Sequence, residues 1–248
     1  MVSVCMATYN GELYIKQQIE SILLQLDLED ELVISDDGST DKTLEIIKSF
    51  NDERIKIIEH MKKDFSKMKY SRNFYYATDN FENSIKNAKG DYIFLADQDD
   101  IWQPNKIKRM VQAMNESNCV MCNYDIIDSE GKIVEGNIFK ELKIGKSLVK
   151  NLFIPPYLGC LMGFKRDILK YILPFPENLI AHDLWIGCLT SKKGDLTFIN
   201  ENLVQHRKHS NNTSNVTIKS KNPFLWKLWY RIILFCKLFV RLMTSGEK

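Results

Sequence analysis

The sequence of 248 residues has little glycine and proline, 11 and 6 residues respectively, and no collagen-like or low-complexity tract. Its six cysteines are too few and too scattered for a disulfide scaffold. The N-terminus lacks the basic stretch and apolar run of a secretory leader. Because 44% of the residues are hydrophobic, the composition predicts a folded protein. The scattered cysteines and the N-terminus predict that it is cytoplasmic, with reduced thiols.

Two familiar nucleotide-binding motifs are also absent. No glycine pair fits the G-x-G-x-x-G pattern, and G-x-x-x-x-G-K-[ST] does not occur, so dehydrogenases and P-loop NTPases lose support. Cys119 and Cys122 have the spacing of half a zinc site, but no second pair follows them. Both fall in a predicted strand, which disfavours a metal or redox role.

Charge is balanced overall but unevenly distributed. The formal net charge is +2, from 34 basic and 32 acidic residues, which argues against a protein that binds polyanions with its whole surface. From Gln205 onward there are nine basic residues and one acid, a local charge of +8, which leaves −6 for residues 1–204. The C-terminal segment is therefore the basic part of the chain.

Short apolar segments alternate with segments of helical periodicity, a pattern typical of an α/β fold whose sheet is covered by helices. We expect one composite domain over 1–220 and a basic amphipathic tail over 221–248. Thr40 or Asp41 is the expected N-cap of the second helix, and Pro104 suits the first turn of a later one. Predicted strands are 2–7, 31–35, 54–59, 91–96, 119–128, 133–138 and 196–199; predicted helices are 11–26, 42–50, 104–116 and 181–192.

Polar clusters follow three of these strands, at residues 8–11, 36–39 and 97–100. Ligands of open α/β sheets bind at the carboxyl ends of strands. Two of the clusters carry paired aspartates with no basic residue beside them in the sequence, so their carboxylates should repel one another. Mg²⁺ or Mn²⁺ is the expected compensation. The alternative is that these aspartates cap helices and order turns, as isolated Asp pairs commonly do.

Five segments, in order, resemble the family 2 glycosyltransferases with the GT-A fold. The likeness extends over about residues 1–215 and is nearest to bacterial transferases of L-rhamnose onto polysaccharide. It implies a single Rossmann-like domain that binds a nucleotide-diphosphate sugar, with a mixed central sheet flanked by helices. The segments are Ala7-Thr-Tyr-Asn10, Asp36-Asp-Gly-Ser-Thr-Asp41, Asp97-Gln-Asp-Asp-Ile-Trp102, Ala181-His-Asp-Leu-Trp185 and Arg207-Lys-His-Ser-Asn-Asn212.

The resemblance assigns the first two segments to the nucleotide. Thr8, Tyr9 and Asn10 belong to the first nucleotide-binding segment, and Thr8 and Tyr9 would line the base. Asp36 would accept a hydrogen bond from the N3–H of a pyrimidine. Asp37 would order the turn or contact the ribose.

The resemblance assigns the third and fifth segments to the diphosphate. Asp97 would hold the ribose and the metal, and Asp99 is the stronger metal ligand. His209 would complete the coordination or contact the diphosphate. A bound metal would neutralise the charge that develops on the leaving group.

The fourth segment is similar to the family's catalytic segment. Asp183 would be the base that takes the proton from the acceptor hydroxyl in an inverting transfer. His182, Trp185 and Trp102 would form walls for the acceptor, or else belong to the core. Gly159 matches a glycine that lets the backbone approach the donor sugar.

The chain departs from the family pattern at a few positions. Ala7 stands where proline is usual, and His206 stands where an aromatic residue is more common. Residues 61–79 do not align cleanly, because Asn73-Phe74 and Asn80-Phe81 both fit the family's Asn-Phe pair.

Residues 223–243 predict an amphipathic helix with its basic side chains on one side and its aromatic rings on the rest. We expect it to lie on an anionic membrane surface, which would make the protein peripheral to the inner face of the cell membrane. The alternative is a helix packed on the domain or on a second subunit of a homodimer.

The expected activity is metal-dependent transfer of L-rhamnose from dTDP-L-rhamnose to a hydroxyl of a growing, lipid-linked surface polysaccharide. A UDP-hexose donor is the alternative within the same class. A non-catalytic scaffold with a GT-A fold is the alternative from another class. A nucleic-acid-binding module is disfavoured, because the basic residues gather in one Trp-rich helix and not in a groove.

Overall fold

The structure of the protein is a computed structural model, which describes residues 1–139, 147–209, 212 and 222–244. Nine strands of this part of the chain form one sheet. They are β1 (Val2–Thr8), β2 (Glu31–Asp36), β3 (Ile55–Ile58), β4 (Tyr92–Ala96), β5 (Ile101–Trp102), β6 (Cys119–Ile127), β7 (Ile133–Glu135), β8 (Met162–Lys165) and β9 (Leu196–Arg207).

The sheet is mixed, with strand order β3-β2-β1-β4-β8-β6-β9-β5 and β7 paired to the side of β6. Strands β3, β2, β1 and β4 are parallel neighbours, so their carboxyl ends share one edge. β8 runs antiparallel between β4 and β6, and β9 runs parallel to β6. The central strands β1, β4 and β6 are buried almost throughout, which explains their apolar runs.

Helices flank this sheet. α3 packs on β1 and β2, α4 on β6 and β9, and α7 on β9 and α3. The helices are α1 (Ile15–Leu23), α2 (Thr43–Ser49), α3 (Arg72–Asn87), α4 (Lys106–Ala113), α5 (Leu148–Phe153), α6 (Leu169–Ile172), α7 (His182–Lys193) and α8 (Phe224–Thr244).

The predicted elements are all present, with shifted ends. α1 begins four residues after Gly11, because residues 11–14 form a turn closed by the Gly11 carbonyl. α4 begins after Pro104, since Asn105 has a left-handed backbone with φ of 66°. The N-cap of α2 is Lys42 and not Thr40 or Asp41 as predicted, although Asp41, one residue earlier, accepts a hydrogen bond from the Thr43 amide.

Strand β9 is eight residues longer than the predicted strand 196–199. The predicted strand ended at Ile199, where polar residues begin. In the structure the strand continues, because its register with β6 shifts so that Asn123 pairs with Asn202. Side chains support the irregularity: Asn123 donates to Asn200, and Asn202 donates to Asp125. β9 thereby delivers residues 206 and 207 to the edge of the sheet.

The expected C-terminal helix is present as α8, but its basic side chains point the wrong way for the predicted contact with lipid headgroups. Arg231 donates to the Leu152 carbonyl and Arg241 to the Tyr171 carbonyl, at 3.0 and 2.8 Å. Leu234 and Leu238 are buried on the same side. These basic side chains thus donate hydrogen bonds to carbonyl groups of the domain, and the exposed face of α8 is apolar. No helix in the described part of the chain is both long and apolar enough to cross a bilayer.

Candidate functional site

The expected clusters meet at the shared edge of the parallel strands. Thr8 and Asp36 end β1 and β2 as direct neighbours, and Asp97 follows the last residue of β4. Gln98 fastens two of the loops: the Tyr9 amide donates to its Oε1 at 2.9 Å, and its Nε2 donates to the Tyr9 carbonyl at 3.1 Å. The sequence assigned no role to Gln98. Its side chain holds the loops of the first and third clusters together.

Asp36 orders its own turn, the role that the sequence gave to Asp37. Its carboxylate accepts from the hydroxyls of Thr8 and Ser39, at 2.8 and 2.6 Å, and from the amides of Gly38 and Ser39. A carboxylate has about four acceptor sites. Since four donors of the protein occupy them, the expected bond from Asp36 to the N3–H of a base is not supported.

Asp37 is buried in a charged network that the sequence did not reveal. His60 Nδ1 lies 2.6 Å from Asp37 Oδ1, and His60 Nε2 lies 3.2 Å from Asp79 Oδ2. Burial alone would lower the pKa of His60, but its hydrogen bonds to the two carboxylates raise it to about 9. Lys62 completes the network by donating to the Asp37 carbonyl at 2.8 Å.

Tyr9 and Asn10 have different environments although they are adjacent. Tyr9 is half exposed, and the Lys62 ammonium lies 4.6 Å from its ring centroid and 4.7 Å from that of Tyr76. Asn10 adopts a left-handed backbone and its side chain accepts from the Thr40 amide, so it joins the first two loops. Tyr9 thus faces the crevice, whereas Asn10 supports it.

Asn80-Phe81 is the Asn-Phe pair that reaches the site. Asn80 is buried and donates to the Thr8 carbonyl at 3.2 Å, and Phe81 is also buried. Asn73 is exposed at the start of α3. The ambiguity of the sequence is resolved by α3, which turns only the later pair toward β1.

Asp99 and His209 come together although 110 residues separate them. His209 Nε2 lies 2.8 Å from Asp99 Oδ2, and Asn212 donates to the same oxygen at 3.3 Å. Arg207, which is buried, donates to the Asp99 carbonyl at 2.9 Å and holds the loop from behind. The expected return of the fifth segment to the second acid of the motif is therefore present. Ser210 and Asn211 of that segment lie outside the described residues.

The other acids of the motif face a second group of side chains. Possible ligand atoms of Asp97, Asp100, Cys160 and His206 all lie within 4.8 Å of one another, the one such group in the described part of the chain. His206 Nδ1 is 2.9 Å from Asp100 Oδ1. Burial would lower the pKa of His206, but the charge of Asp100 raises it to about 9. The acids therefore do have a basic partner, contrary to the sequence-based expectation.

Negative charge nevertheless remains in excess at Asp97. Burial, followed by the charges of Asp100 and Asp99, raises the pKa of Asp97 to about 8. A bound cation would lower the free energy of ionised Asp97 and offset this repulsion. Carboxylate oxygens suit Mg²⁺ or Mn²⁺. Of the three expected ligands, however, Asp97 lies with Asp100 and His206, whereas Asp99 pairs with His209, so this structure does not bring all three together.

Two tryptophans expected at the acceptor lie in the core. Trp102 is 2% exposed and lies under the Lys106 ammonium, which is 3.7 Å from its ring centroid and donates to the Cys160 carbonyl. Trp185 is 1% exposed, and its indole N–H donates to the Ile172 carbonyl at 2.9 Å. Both rings are covered because their strand and helix face inward, so neither contributes a wall for a sugar.

Asp183 and His182 open α7. Burial raises the pKa of Asp183 to about 6 and lowers that of His182 to about 3. The Leu184 amide donates to Asp183 Oδ1 at 2.7 Å. Gly159 makes room for His182, because a Cβ on Gly159 would lie 2.7 Å from His182 Nε2. The ring of His182 thus occupies the space beside Gly159 in which the donor sugar was expected. The centroid of this ring lies 4.2 Å from that of Phe81, with the two ring planes tilted by 32°.

The fold and these loops define an α/β protein with a candidate ligand-binding site at the carboxyl ends of its parallel strands, beside an acidic loop. The chain belongs to glycosyl transferase family 2, whose family model matches residues 3–173.

Two curated relatives cover most of the chain. The dTDP-rhamnosyl transferase RfbG of Shigella flexneri is 29% identical over 244 residues, with 91% of this chain and 81% of the relative aligned. The UDP-Glc:alpha-D-GlcNAc-diphosphoundecaprenol beta-1,3-glucosyltransferase WfgD of Escherichia coli is 32% identical over 205 residues, with 81% and 73% aligned.

Solved structures confirm the expected GT-A type of fold. Staphylococcus aureus TarS in complex with UDP-GlcNAc superposes with a TM-score of 0.67 at 19% identity and covers 94% of this chain. Mycobacterium tuberculosis glucosyl-3-phosphoglycerate synthase, with Mn²⁺, UDP and glucosyl-3-phosphoglycerate, gives 0.59 at 19% identity and covers 97% of this chain. This chain spans 66% of that TarS chain and 79% of the synthase chain.

Proposed function

We propose that this protein is an inverting glycosyltransferase that moves a sugar from a nucleotide-diphosphate donor to a saccharide hydroxyl. Its place would be the assembly of a bacterial surface polysaccharide on a lipid carrier. The observation that carries the proposal is that the side chains of His209 and Asn212 converge on the carboxylate of Asp99 in the loop after β4. His209 Nε2 lies 2.8 Å and Asn212 Nδ2 lies 3.3 Å from Asp99 Oδ2. Membership of glycosyl transferase family 2 supports the same reaction class.

Asp97, Asp99 and His209 are the residues that would hold a Mg²⁺ or Mn²⁺ ion. The ion would supply positive charge to the diphosphate leaving group. The raised pKa of Asp97, which burial and the neighbouring acids cause, supports a need for that charge. Arg207 holds the Asp99 loop in place through the Asp99 carbonyl.

Asp183 would be the general base. Its pKa of about 6 keeps it ionised at neutral pH and makes it more basic than an exposed aspartate. The acceptor oxygen would form a bond to the anomeric carbon as its proton passes to Asp183, while the bond from that carbon to the diphosphate oxygen breaks. Attack from the face opposite the leaving group inverts the anomeric configuration.

The donor base would lie against Tyr9, which is half exposed, and not against the side chain of Thr8, which is buried and donates to Asp36. Asp36 and Asp37 are engaged by the protein. Lys62 also donates to the Asp37 carbonyl, but its ammonium group lies beside the rings of Tyr9 and Tyr76 and can donate a further hydrogen bond to the base. An ammonium group donates hydrogen bonds, which suits the carbonyl oxygens of a pyrimidine. RfbG favours dTDP-L-rhamnose as the donor, and WfgD favours a UDP-hexose.

A thermal-shift panel tests the proposal. The protein is melted with dTDP, UDP, GDP or ADP, each with Mn²⁺, Mg²⁺ or EDTA, as wild type and as Asp99→Ala. A nucleotide at a hundredfold excess over its Kd stabilises the fold by about 2.7 kcal/mol, which is about 5–10 °C for a chain of this size. We expect dTDP or UDP to do so with metal, and Asp99→Ala to lose the effect.

The matched control is Asp167→Ala, which removes an exposed aspartate away from the site. It should keep the metal-dependent shift. If no nucleotide stabilises the folded wild type, the transferase is refuted and the non-catalytic scaffold becomes the better account.

We also propose that the protein is cytoplasmic and peripheral on the inner face of the cell membrane, attached through α8. Because the basic side chains of α8 bind the domain, its attachment would depend more on apolar insertion than on anionic lipid. A lipid-linked acceptor would be reached from this surface. The exposed large apolar residues of α8 are Phe224, Leu225, Trp229, Ile232, Phe235, Phe239, Val240 and Met243.

Vesicle sedimentation tests this attachment, with vesicles of phosphatidylcholine alone or mixed with phosphatidylserine. We expect wild type to bind both, and Trp229→Ser with Ile232→Ser to bind neither. The control is Leu24→Ser with Leu28→Ser, which changes two exposed leucines elsewhere. If wild type does not sediment with vesicles and elutes as a dimer in size-exclusion chromatography, a second copy of the chain would be the better account of what covers this face.

A further inference from the structure

Helix α8 reaches the segment that carries Asp183 through one side chain, that of Tyr230. The Tyr230 hydroxyl accepts a hydrogen bond from the Ile180 amide at 3.0 Å and donates one to the Ile180 carbonyl. Ile180 is buried, and Asp183 follows three residues later in the first turn of α7. A side chain of the C-terminal helix therefore holds the backbone just before the proposed general base.

The backbone between Ile180 and Asp183 adopts a conformation that needs such support. Ala181 is the N-cap of α7 and has φ of 68° and ψ of 79°. A left-handed backbone is uncommon for a residue with a Cβ, and it persists where the surrounding structure fixes it. Alanine has no side-chain oxygen with which to cap a helix. Because Tyr230 binds both polar backbone groups of the preceding residue, it holds the chain where it turns into α7.

The Tyr230 hydroxyl can make both bonds only while it keeps its proton. Burial raises the pKa of Tyr230, the bond to Ile180 partly offsets this rise, and the negative charge of Asp183 adds to it. Tyr230 is therefore neutral at physiological pH, so its hydroxyl both donates and accepts. It also lies near enough to Asp183 for the two side chains to interact.

Helix α8 is fixed to the domain along one face, so it can act as a support. Leu234 and Leu238 are buried on this face. Arg231 and Arg241, one on each side of the two leucines, donate to carbonyl groups of the domain. The Arg241 guanidinium also lies 5.3 Å from the ring centroid of Trp185, which belongs to α7. The position of Tyr230 is thus set by contacts on both sides of α7.

A small apolar cluster, separate from the main core, surrounds the contact between Tyr230 and Ile180. The ring of Trp226 stacks on that of Tyr230 with their centroids 5.8 Å apart. Phe65 and Tyr75 are the other buried members of the cluster. Tyr230→Phe would keep this ring packing and remove only the hydroxyl, so the effect of the two hydrogen bonds can be measured by itself.

We propose that Tyr230 is a positioning residue for Asp183 and that, through Ile180, it places the carboxylate that receives the acceptor proton. This inference rests on the proposed function, in which Asp183 is the general base. A general base must lie within hydrogen-bond reach of its proton, and a displacement of about 1 Å can lower turnover about 100-fold. On this proposal α8 is a working part of the catalytic domain, whereas the sequence divided the two at residue 220.

Steady-state kinetics of Tyr230→Phe in the full chain test the proposal. Donor turnover is measured with dTDP-L-rhamnose or UDP-glucose, Mn²⁺ and a bacterial lipid extract. We expect kcat to fall by about tenfold or more, because the base is misplaced. The KM for the donor and the nucleotide-induced thermal shift should stay as in wild type, since the nucleotide-binding edge is intact. A fall in kcat alone indicates a contact that matters in the transition state.

Tyr157→Phe is the matched control. The Tyr157 hydroxyl is also buried and bonds two side chains, those of Asn151 and Ser191, at 2.7 and 2.8 Å. Ser191 lies toward the other end of α7, away from Asp183. Tyr157→Phe should lower Tm as Tyr230→Phe does, yet leave kcat close to that of wild type.

Amide hydrogen exchange measures the hold on the segment without any substrate. In Tyr230→Phe the Ile180 amide loses its acceptor, so exchange in peptides that cover residues 179–185 should become faster. In Tyr157→Phe exchange of the same peptides should match that of wild type. The two variants therefore separate a local effect on this segment from a general loss of stability.

Wild-type kcat in Tyr230→Phe, or an equal loss of kcat in both variants, would overturn the proposal. Unchanged amide exchange at residues 179–185 in Tyr230→Phe would also overturn it. If wild type turns over neither donor, the proposed function fails, and Tyr230 then has no base to position. Turnover by wild type that Tyr230→Phe fully retains overturns this inference alone and leaves the transferase intact.

Discussion

Asp183→Asn should make the protein more stable above neutral pH while abolishing transfer. In the folded protein burial raises the pKa of Asp183 to about 6 from the ordinary 3.8. Each pKa unit corresponds to about 1.36 kcal/mol, so the ionised carboxylate destabilises the fold by at most about 3 kcal/mol. Asparagine carries no charge and still accepts from the Leu184 amide. The substitution therefore removes the cost and keeps the hydrogen bond.

The sign of the effect depends on pH. Below about pH 4 the carboxyl is protonated in both the folded and the unfolded chain, and the variant gains less than about 1 kcal/mol. As the pH rises from about 4 to 6 the unfolded chain loses this proton first, and wild type loses stability relative to the variant. At pH 8 the full difference is present and corresponds to a rise in Tm of about 6–12 °C.

The assay is thermal unfolding of wild type and Asp183→Asn at pH 4, 6 and 8, with Glu116→Gln as the exposed control. The control should stay within about 0.5 kcal/mol of wild type at every pH. A variant that is no more stable than wild type at pH 8 would refute the claim that Asp183 is a partly buried carboxylate with a raised pKa.

Four further substitutions follow from the structure. Trp102→Ala and Trp185→Ala should each lower the free energy of unfolding by about 3–5 kcal/mol, measured by urea denaturation, since both rings are in the core. Gly159→Ala should reduce transfer but leave nucleotide-induced thermal shifts unchanged, because its Cβ would displace His182 and not the donor. Arg207→Ala should destabilise the fold by about 3 kcal/mol in denaturation, since it removes a buried side chain and the donor to the Asp99 and Asp128 carbonyls, and should abolish metal-dependent nucleotide binding.

Local patterns were sufficient for the parallel half of the sheet and the outline of the site, but they did not predict β5 and β8. The apolar runs at residues 2–7 and 91–96 predicted β1 and β4, and strand-end polarity located the acidic loops. The family resemblance predicted that His209 returns to Asp99, which no local pattern contains. β9 was underestimated because its polar middle is accommodated by cross-strand amide contacts with β6, which depend on tertiary structure.

Side-chain partners were the part that the sequence left open. Asp36 and Asp37 are adjacent and chemically identical, and only the turn geometry decides which one orders the loop. The partners of Asp37 and Asp100 are His60 and His206, which are 23 and 106 residues away. Tryptophans next to a catalytic motif suggested sugar contacts, whereas burial decides their role.

Turnover of the donor tests the central claim most directly. The protein is incubated with dTDP-L-rhamnose or UDP-glucose, Mn²⁺ and a bacterial lipid extract, and released nucleoside diphosphate is measured. The account predicts release from one of these donors that disappears with EDTA, with Asp99→Ala and with Asp183→Asn. Nucleotide binding without release from either donor would contradict it and favour a non-catalytic scaffold.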